Sequence, residues 1–203
     1  MVYRISNSII LDNLRRFRDK TTEKVEAWKC VEYMSFFLAG EISNLLDSTE
    51  MLVKTPLGES NATCLDSEIE LVPVLRAGFA MLRPFQMLFP NAHIGPIACQ
   101  RMSDLSIEVR YDKISERLDN KTVIILDTML ATGNTINKVI ELLKERNAHR
   151  VIIATILSVK KGIDSLPNYE IFTIDSNDTL DENYYIYPGV GDSGDRLFGS
   201  IKK

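Results

Sequence analysis

The sequence contains few of the residues from which several common kinds of site are built. Its three cysteines, Cys30, Cys64 and Cys99, are odd in number and far apart, so they indicate neither a disulfide framework nor a CxxC site. The two histidines, His93 and His149, are equally distant from each other and have no neighbouring ligands. This spacing argues against a zinc site.

The chain also lacks a long apolar run and an excess of positive charge. The opening residues, MVYRISNSIILDNLRR, contain no apolar stretch of signal-peptide or membrane-spanning length. The net charge of −4 argues against a surface for nucleic acid or anionic membranes. Together with the scarce cysteines, these features predict a reduced, cytoplasmic protein with no nucleic-acid and no membrane partner. The length of 203 residues predicts one domain over 1–203.

The stretch VIILDTMLATGNT at residues 123–135 is the most informative part of the chain. Its first four residues are apolar and mostly β-branched, which indicates a buried parallel strand that ends at Asp127. A loop of small residues follows, and then apolar residues recur at helical spacing. A strand, a small-residue loop and a helix N-terminus together present free backbone N–H groups and the positive end of the helix dipole to an anion.

Two interpretations of this loop are equally good from the loop alone. Thr132 and Thr135 can add hydroxyl donors, and Gly133 allows the backbone to approach a phosphate closely. No lysine stands where a P-loop ATPase needs one, so a Walker A motif is excluded. The alternative is an ordinary turn between strand and helix, capped by Asn134 or Thr135.

Elsewhere, strand-like and helix-like patterns alternate, which predicts an α/β fold with a parallel sheet. Residues 9–47 have a helical pattern with a possible break at Gly40, and a helix is predicted over 79–89. Residues 51–72 predict a β-hairpin with its turn at 58–61, outside the main sheet and able to pair with a second subunit. The remaining strands are predicted at 71–75, 94–99, 151–159 and 169–174.

Two of the predicted strands end in an arginine, Arg76 and Arg101. Ligands of open α/β sheets bind at the carboxyl edge of the strands, so both cations are candidates for binding an anion. Taken alone, Arg76 is better explained as a cap or a salt-bridge partner. Residues 102–120 are highly charged and have little apolar periodicity. Because a connection of this length is usually functional or mobile, we predict a flexible lid over the site.

The segment YYIYPGVGDSGDRLFG at 184–199 is rich in glycine and aspartate. Gly189, Gly191 and Gly194 match the spacing of a dinucleotide-binding fingerprint, but too few residues follow to complete the βαβ unit that this motif requires. A loop that presents backbone amides and carboxylates to a small ligand is the better interpretation.

Three separated blocks of the sequence resemble uracil phosphoribosyltransferases in order and approximate spacing. They are VPVLRAG at 72–78, DTMLATGNT at 127–135 and YIYPGVGDSGDRLFG at 185–199, and Thr-Pro-Leu at 55–57 resembles the end of that family's β-arm. The resemblance covers most of the chain. It implies a type I phosphoribosyltransferase fold, with a central parallel sheet flanked by helices, N-terminal helices, a protruding β-hairpin arm and a C-terminal base-binding loop.

The resemblance also implies an activity and a set of site residues. Such enzymes transfer the 5-phosphoribosyl group of phosphoribosyl diphosphate (PRPP), held with Mg²⁺, to N1 of uracil, giving UMP and diphosphate. Catalytic roles are implied for Arg76, Arg101, Lys113 and Asp192. PRPP contacts are implied for Arg76, Ala77, Gly78, Arg101, Asp127, Met129, Leu130, Ala131, Thr132, Gly133, Asn134, Thr135 and Asp192, and uracil contacts for Tyr185, Ile186, Gly191, Asp192 and Ser193. No side chain is expected to bind Mg²⁺ directly, although Asp192 would lie near it, and a homodimer or higher homo-oligomer is expected.

Several positions depart from the family's usual pattern. Thr128 replaces a proline, Asn134 and Thr135 replace Gly-Ser, and Gln100 and Arg110 stand where tyrosines are common. The altered lid motivates an alternative function, a uracil- or UMP-sensing regulator that has lost turnover. A third interpretation keeps the enzyme and changes the base. Control by GTP, which some relatives show, is left open by the sequence.

Overall fold

The computed structural model describes residues 1–102 and 106–200. Its helices are α1 (Ser8–Arg18), α2 (Lys24–Ser43), α3 (Phe79–Leu88), α4 (Asn134–Glu145), α5 (Lys160–Asp164) and α6 (Ser193–Phe198). Its strands are β1 (Val2–Arg4), β2 (Ser48–Thr55), β3 (Gly58–Leu65), β4 (Glu68–Leu75), β5 (His93–Ile94), β6 (Ile97–Arg101), β7 (Ile107–Asp112), β8 (Lys121–Leu130), β9 (Arg150–Val159), β10 (Glu170–Asn177), β11 (Thr179–Leu180) and β12 (Ile186–Tyr187). In this described part, no helix has both the length and the apolar character needed to cross a membrane.

One central sheet organises the fold, and it confirms the predicted α/β class. The strand order is β1-β10-β9-β8-β4-β6-β7, with β5 beside β4, and all of these pairings are parallel except β6 with β7. The apolar runs predicted at 123–126 and 151–159 lie in the central strands β8 and β9. Helices must cover both faces of such a sheet, because its strands have no face left for water.

The alternation of side chains along β8 divides the core between the two faces of the sheet. Ile124 and Leu126 pack on the face covered by α1, α2 and α3. Val123 and Ile125 pack on the opposite face, with the apolar side of α4. All four side chains are fully buried, as expected for a strand covered on both faces.

The N-terminal helical pattern contains two helices, and Gly40 does not break either of them. The side chain of Asn7 caps α1 by accepting a hydrogen bond from the N–H of Ile10. The chain turns after α1, where Asp19 accepts hydrogen bonds from Thr21. Gly40 lies inside α2 with no heavy atom near the position of a Cβ, so the expected break there is wrong.

The β-hairpin is confirmed, but its bounds and its turn differ from the prediction. Strands β2 and β3 form a separate antiparallel pair in which Thr55 is opposite Gly58, so the turn lies at 56–57 rather than at 58–61. Gly58 has φ of 151°, a conformation that side-chain-bearing residues rarely adopt. Residues 68–72 belong to β4 in the main sheet, because their apolar side chains complete the core.

The strand predicted at 94–99 is interrupted. The strands β5 and β6 are separated by Gly95 and Pro96, and the Gly95 N–H bonds to the carbonyl of Leu71. A Cβ at Gly95 would lie 2.7 Å from Ile114 Cα and 2.8 Å from Glu70 Oε1. The close approach of these two segments explains both the glycine and the break.

The predicted lid is largely ordered structure in the part that the model describes. Residues 107–112 form β7, and Ile114 and Leu118 are buried in the core. Residues 103–105 lie outside the described residues, and the flexibility of the lid stays a prediction. The charged pattern did not indicate β7 because it is an edge strand, where charged side chains are common.

A buried ion pair ties residues 115–121 to the amino-terminal edge of the sheet. The Glu70 carboxylate accepts hydrogen bonds from the Ser115 N–H at 2.9 Å, the Ser115 hydroxyl at 2.7 Å and Lys121 Nζ at 3.0 Å. Burial alone would raise the pKa of Glu70, but the bonds from Ser115 and Lys121 outweigh it and lower the pKa below its usual value.

Candidate active site

The loop after β8 forms an uncapped helix N-terminus. Strand β8 continues to Leu130, past the predicted end at Asp127, and α4 begins at Asn134. Gly133 is the N-cap residue with φ of 83° and has no side chain to cap the helix, and the Thr132 hydroxyl accepts only a long hydrogen bond of 3.4 Å from the Asn134 N–H. The alternative of a turn capped by Asn134 or Thr135 is therefore wrong. The free N–H groups and the helix dipole make this end of α4 suitable for an anion.

Helix α5 supports this loop by close packing that requires two glycines. A Cβ at Gly133 would lie 2.0 Å from Ser165 Oγ. A Cβ at Gly162 would lie 2.6 Å from the carbonyl oxygen of Ala131. The Asn137 amide donates to both the Gly133 carbonyl and Ser165 Oγ, which joins the first turn of α4 to α5.

Asp127 lies beside the loop on β8, and its carboxyl group is difficult to ionise. Burial raises the pKa of Asp127 to about 7, against an opposing effect of the backbone N–H groups of Met129 and Thr128. Removal of the carboxyl group from water is the largest of these effects on the pKa of Asp127. The group therefore changes its charge near neutral pH.

Arg76 lies at the carboxyl end of β4 and reaches α6. Its Nη2 is 2.8 Å from Asp195 Oδ1, and both side chains are partly exposed. Gly194 allows this approach, because a Cβ there would lie 3.3 Å from Arg76 Nη2 and 3.2 Å from Asp192 Oδ1. The peptide bond between Leu75 and Arg76 is cis. The salt bridge considered for Arg76 exists, and the same guanidinium also lines the cleft.

Arg101 lies at the carboxyl end of β6, with its guanidinium carbon 5.9 Å from the centre of the Tyr184 ring. Next to it, Arg110 Nε donates a 3.0 Å hydrogen bond to Gln100 Oε1. Gln100 and Arg110 therefore contact each other across the β6–β7 pair.

The C-terminal segment is held by hydrogen bonds within itself. The Asp192 carboxylate caps α6 by accepting from the Asp195 N–H at 2.8 Å. The Tyr185 hydroxyl donates to the other Asp192 oxygen at 3.4 Å. Burial and the negative charge of Asp192 raise the pKa of Tyr185, so this phenol stays protonated at neutral pH.

Other bonds attach α6 to the rest of the protein. The indole N–H of Trp28 donates to the carbonyl of Leu197 at 2.6 Å. Arg196 donates to the carbonyls of Phe17 and Asp19, at the C-terminus of α1. The buried hydroxyl of Thr128 donates to that of Ser193 at 2.9 Å. Strand β8 and the N-terminal helices together therefore set the position of α6.

These elements enclose a cleft along the carboxyl edge of the sheet. It contains adjoining cavities of about 280 and 350 Å³ that share Arg101, Asp127 and Asp192, and a cavity of about 190 Å³ next to the loop. The cleft brings together most of the predicted site residues: Arg76, Ala77, Arg101, Asp127, Met129, Leu130, Ala131, Thr132, Gly133, Asn134, Thr135, Tyr185, Gly191, Asp192 and Ser193.

Lys113 is not among the residues that line this cleft, so the catalytic role implied for it stays a prediction. It follows β7, which runs antiparallel to β6, and its N–H bonds to the carbonyl of Pro96. Arg146, at the C-terminus of α4, bonds to Asp112 and to the carbonyl of Ile114 on either side of Lys113. The anion site lies at the other end of this 12-residue helix, about 18 Å away.

Gly78 has a packing role that the resemblance does not imply. Its N–H bonds to the carbonyl of Val74, and a Cβ there would lie 2.0 Å from the carbonyl oxygen of Leu126. The glycine is therefore needed where the turn after β4 packs against β8, and the ligand contact implied for it stays a prediction. Ile186 is buried in the core and is not among the residues that line the cleft, so its main-chain contact to the base stays a prediction.

The residues that line the cleft but were not predicted as site residues include Cys99, Lys161 and Tyr184. Burial, followed by the negative charge of Asp127, raises the pKa of Cys99 to about 11, so this thiol is not a nucleophile at neutral pH. Lys161 comes shortly after the end of β9. The rule that singled out the arginines after other strands would also have found this residue.

The cleft has few potential metal ligands. Within residues 1–102 and 106–200, no group of three or more His, Cys, Asp or Glu side chains is placed to hold a metal ion. Asp127 and Asp192 nevertheless offer carboxylate oxygens to the cleft. That set fits Mg²⁺, which proteins commonly hold through one or two carboxylates together with substrate phosphates and water.

Comparison with solved structures identifies the class of fold. A hypoxanthine phosphoribosyltransferase from Staphylococcus aureus superposes with a TM-score of 0.55 at 14% identity, covering 87% of this chain and 84% of that one. An adenine phosphoribosyltransferase from Thermoanaerobacter pseudethanolicus gives a TM-score of 0.51 at 15% identity, covering 73% and 81%. The fold is that of the type I phosphoribosyltransferases.

Sequence comparison identifies the family. Residues 5–200 match the family model described as uracil phosphoribosyltransferase. The uracil phosphoribosyltransferase of Dictyoglomus turgidum is 32% identical, covering 98% of this chain and all of that protein, and that of Mesoplasma florum is 33% identical, covering 97% of each. A structure from Aquifex aeolicus superposes with a TM-score of 0.91 at 29% identity, covering 98% of each chain. The chain belongs to the uracil phosphoribosyltransferase family.

Proposed function

We propose that this protein transfers the 5-phosphoribosyl group of PRPP to N1 of uracil, giving UMP and diphosphate. The observation that carries the proposal is the meeting of Arg76, Arg101, the loop before α4 and the C-terminal segment in one cleft. Each of these parts corresponds to a different portion of the two substrates. The family of the chain supports the same reaction, which belongs to pyrimidine salvage.

The geometry suits each part of PRPP. The 5′-phosphate binds at the N-terminus of α4, where N–H groups and the hydroxyls of Thr132 and Thr135 act as donors. Asp127 accepts a hydrogen bond from a ribose hydroxyl. Arg76 and Arg101 bind the diphosphate. As the bond at C1 breaks, negative charge grows on the diphosphate, and these fixed cations stabilise it without a covalent nucleophile.

The C-terminal segment binds uracil beside the ribose. Gly191 and Ser193 present main-chain groups to the ring, and Tyr185 lies next to it on the wall of the cavity. Uracil offers alternating donors and acceptors to such groups. Cytosine places an amino group where uracil has a carbonyl, so a donor of the site is left without an acceptor, which is a costly mismatch.

Mg²⁺ is part of the proposal. When bound with PRPP, the ion would supply positive charge to the leaving diphosphate. Asp192, which lines both larger cavities, is the carboxylate best placed to take part in holding it. Arg76, Arg101 and the N-terminus of α4 orient PRPP in the cleft.

We also propose a homodimer in which the hairpin β2–β3 pairs with a second copy of the chain. The hairpin exposes Met51, Leu52 and Leu57 and forms a two-stranded sheet apart from the main one. An isolated two-stranded hairpin is marginally stable in water, so a partner surface would stabilise it. Analytical ultracentrifugation tests this proposal. A monomer at micromolar concentration contradicts it, and replacing Leu52 and Leu57 with Ser is expected to weaken a dimer.

A cytoplasmic location is proposed on the basis of the cysteines. Cys30, Cys64 and Cys99 are all free thiols, as a reducing compartment allows. Fractionation of cells that express the tagged protein tests this location. Recovery outside the cytoplasmic fraction would contradict it.

The proposed reaction is tested by incubating the purified protein with PRPP and each of uracil, cytosine, hypoxanthine and orotate, with Mg²⁺ or with EDTA. The expected result is UMP from uracil with Mg²⁺ and no nucleotide from the other bases. A different nucleotide would show that the C-terminal segment has been assigned the wrong base. Binding of PRPP or UMP without any product would instead favour a regulatory protein.

A further inference from the structure

Lys161 lies next to the loop that precedes α4. It is the second residue of α5, which begins where β9 ends at the carboxyl edge of the sheet. The following residue, Gly162, is packed against the carbonyls of Leu130 and Ala131. Lys161 lines the cavity of about 190 Å³ together with Arg101, Thr132, Asn134 and Tyr184.

The two neighbouring lysines of α5 differ in their electrostatic partners. Lys160 Nζ pairs with the carboxylate of Asp164 at 2.8 Å, one turn along the helix. The ammonium group of Lys161 has no ion pair and no hydrogen bond with any of the described residues. Lys161 therefore presents an uncompensated positive charge to a cavity that borders the anion site.

The loop of the anion site itself provides only neutral donors, and Arg101, the other cation that lines the same cavity, is assigned above to the diphosphate. The loop contributes backbone N–H groups and the hydroxyls of Thr132 and Thr135, and residues 131–135 contain no cation. A phosphate monoester carries close to two negative charges at neutral pH. A lysine adjoining the loop supplies the missing charge, and its flexible side chain can reach a phosphate held at the helix N-terminus.

We propose that Lys161 binds the 5′-phosphate of PRPP and of UMP. This inference rests on the function proposed above, and it assigns to that cleft a residue that none of the motifs of the sequence indicates. Lys161 contributes to the binding of substrate and product alike, because the 5′-phosphate takes no part in bond breaking. Its loss therefore raises KM for PRPP more than it lowers kcat.

The first test compares UMP with uridine, which differs only in lacking the phosphate. Isothermal titration calorimetry of the Lys161→Gln variant is expected to show a loss of UMP affinity of about tenfold to a hundredfold, the range for one charge-assisted hydrogen bond. The uridine affinity should stay unchanged. The Lys161→Arg variant should recover most of the UMP affinity.

The matched control is Lys160→Gln, which removes the same charge one residue earlier, where Asp164 already pairs with it. This variant should bind UMP within about twofold of the wild type, as expected for an exposed ion pair of little net value. UMP affinity should also depend less on salt in Lys161→Gln than in Lys160→Gln. The measure is the slope of a plot of the logarithm of affinity against the logarithm of salt concentration.

The inference is overturned if Lys161→Gln binds UMP as tightly as the wild type, or if it loses uridine affinity to the same extent. Inorganic phosphate is titrated in parallel, so that the inference is decided even if the protein binds no UMP. Equal phosphate affinity of wild type and Lys161→Gln would then overturn it. The function proposed above fails separately, if the wild type forms no UMP from uracil and PRPP.

Discussion

The hydroxyl of Thr128 donates a 2.9 Å hydrogen bond to the hydroxyl of Ser193, and both side chains are buried. The bond joins β8, which leads into the anion site, to the first residue of α6. Proline, which the resemblance described above leads one to expect at position 128, has no hydroxyl group and cannot make this bond. Thr128 therefore links the proposed PRPP and uracil sites.

Replacing Thr128 with Val is expected to raise KM for uracil about fivefold or more while KM for PRPP changes little. The substitution leaves the buried Ser193 hydroxyl without its donor, a loss of about 1–3 kcal/mol. Steady-state kinetics with each substrate varied in turn measures both values. The control is Thr173→Val, which removes a buried hydroxyl that bonds only to the backbone of β10. Equal effects of the two variants on uracil KM would contradict the role of Thr128.

The Arg76→Ala variant is expected to lose about a hundredfold or more in kcat. That is the usual cost of removing one preorganised donor to a developing negative charge. Rates of UMP formation at saturating substrates measure the loss. Arg83→Ala serves as the control, since Arg83 is exposed on α3 and pairs with Glu32 away from the cleft. Turnover of Arg76→Ala close to that of the wild type would remove Arg76 from the mechanism.

Asp127→Asn is expected to stabilise the fold at neutral pH while it abolishes most activity. Because the pKa of Asp127 is about 7 in the folded protein and 3.8 is its ordinary value, the folded state binds a proton between these pH values that the unfolded state does not. The contribution of Asp127 to the free energy of unfolding of the wild type therefore falls as pH rises from 4 to 7. Asparagine does not titrate. The free energy of unfolding of Asp127→Asn, relative to that of the wild type, therefore rises between pH 4 and 7 and is constant at higher pH.

Urea denaturation of wild type and Asp127→Asn at pH 4.5, 6 and 8 measures this advantage. A difference in free energy of unfolding that does not grow with pH would show that burial does not raise the pKa of Asp127. The loss of activity in the same variant tests the contact to the ribose hydroxyl, because an amide cannot replace the charge of the carboxylate.

Glu70→Ala is expected to lower the free energy of unfolding by about 3–5 kcal/mol at pH 7, because it leaves Lys121 charged and unpaired inside the protein. Glu170→Ala is the control, since its partly exposed pair with Arg150 contributes about 1 kcal/mol or less. The pKa of Glu70 is lowered, so the stabilisation is present above its usual pKa and is lost as pH falls through the folded-state value. Thermal unfolding at pH 7 and pH 3 measures both effects, and equal losses for the two variants at pH 7 would be inconsistent with this account.

The sequence by itself was sufficient for the parts of the protein that depend on local pattern. The apolar runs of β8 and β9 predict buried parallel strands, because every residue of such a strand faces the core. The loop before α4 was less well determined, because small residues before a helix suit both an anion site and a capped turn. The position of Arg76 at the end of a strand made it a candidate for the functional edge of the sheet, although a cap or salt bridge was the better explanation from that position alone.

Only the tertiary structure decided which distant residues meet. The antiparallel course of β7 takes Lys113 to the edge of the sheet opposite Arg101, and the charges of that segment do not reveal its direction. Tight packing of Gly78 against the carbonyl of Leu126 explains a glycine that the motif alone assigns to ligand binding. Thr128 and Ser193, 65 residues apart, share one hydrogen bond only because the C-terminal segment folds back over β8. Contacts of this kind depend on how whole elements pack, and no short stretch of sequence encodes them.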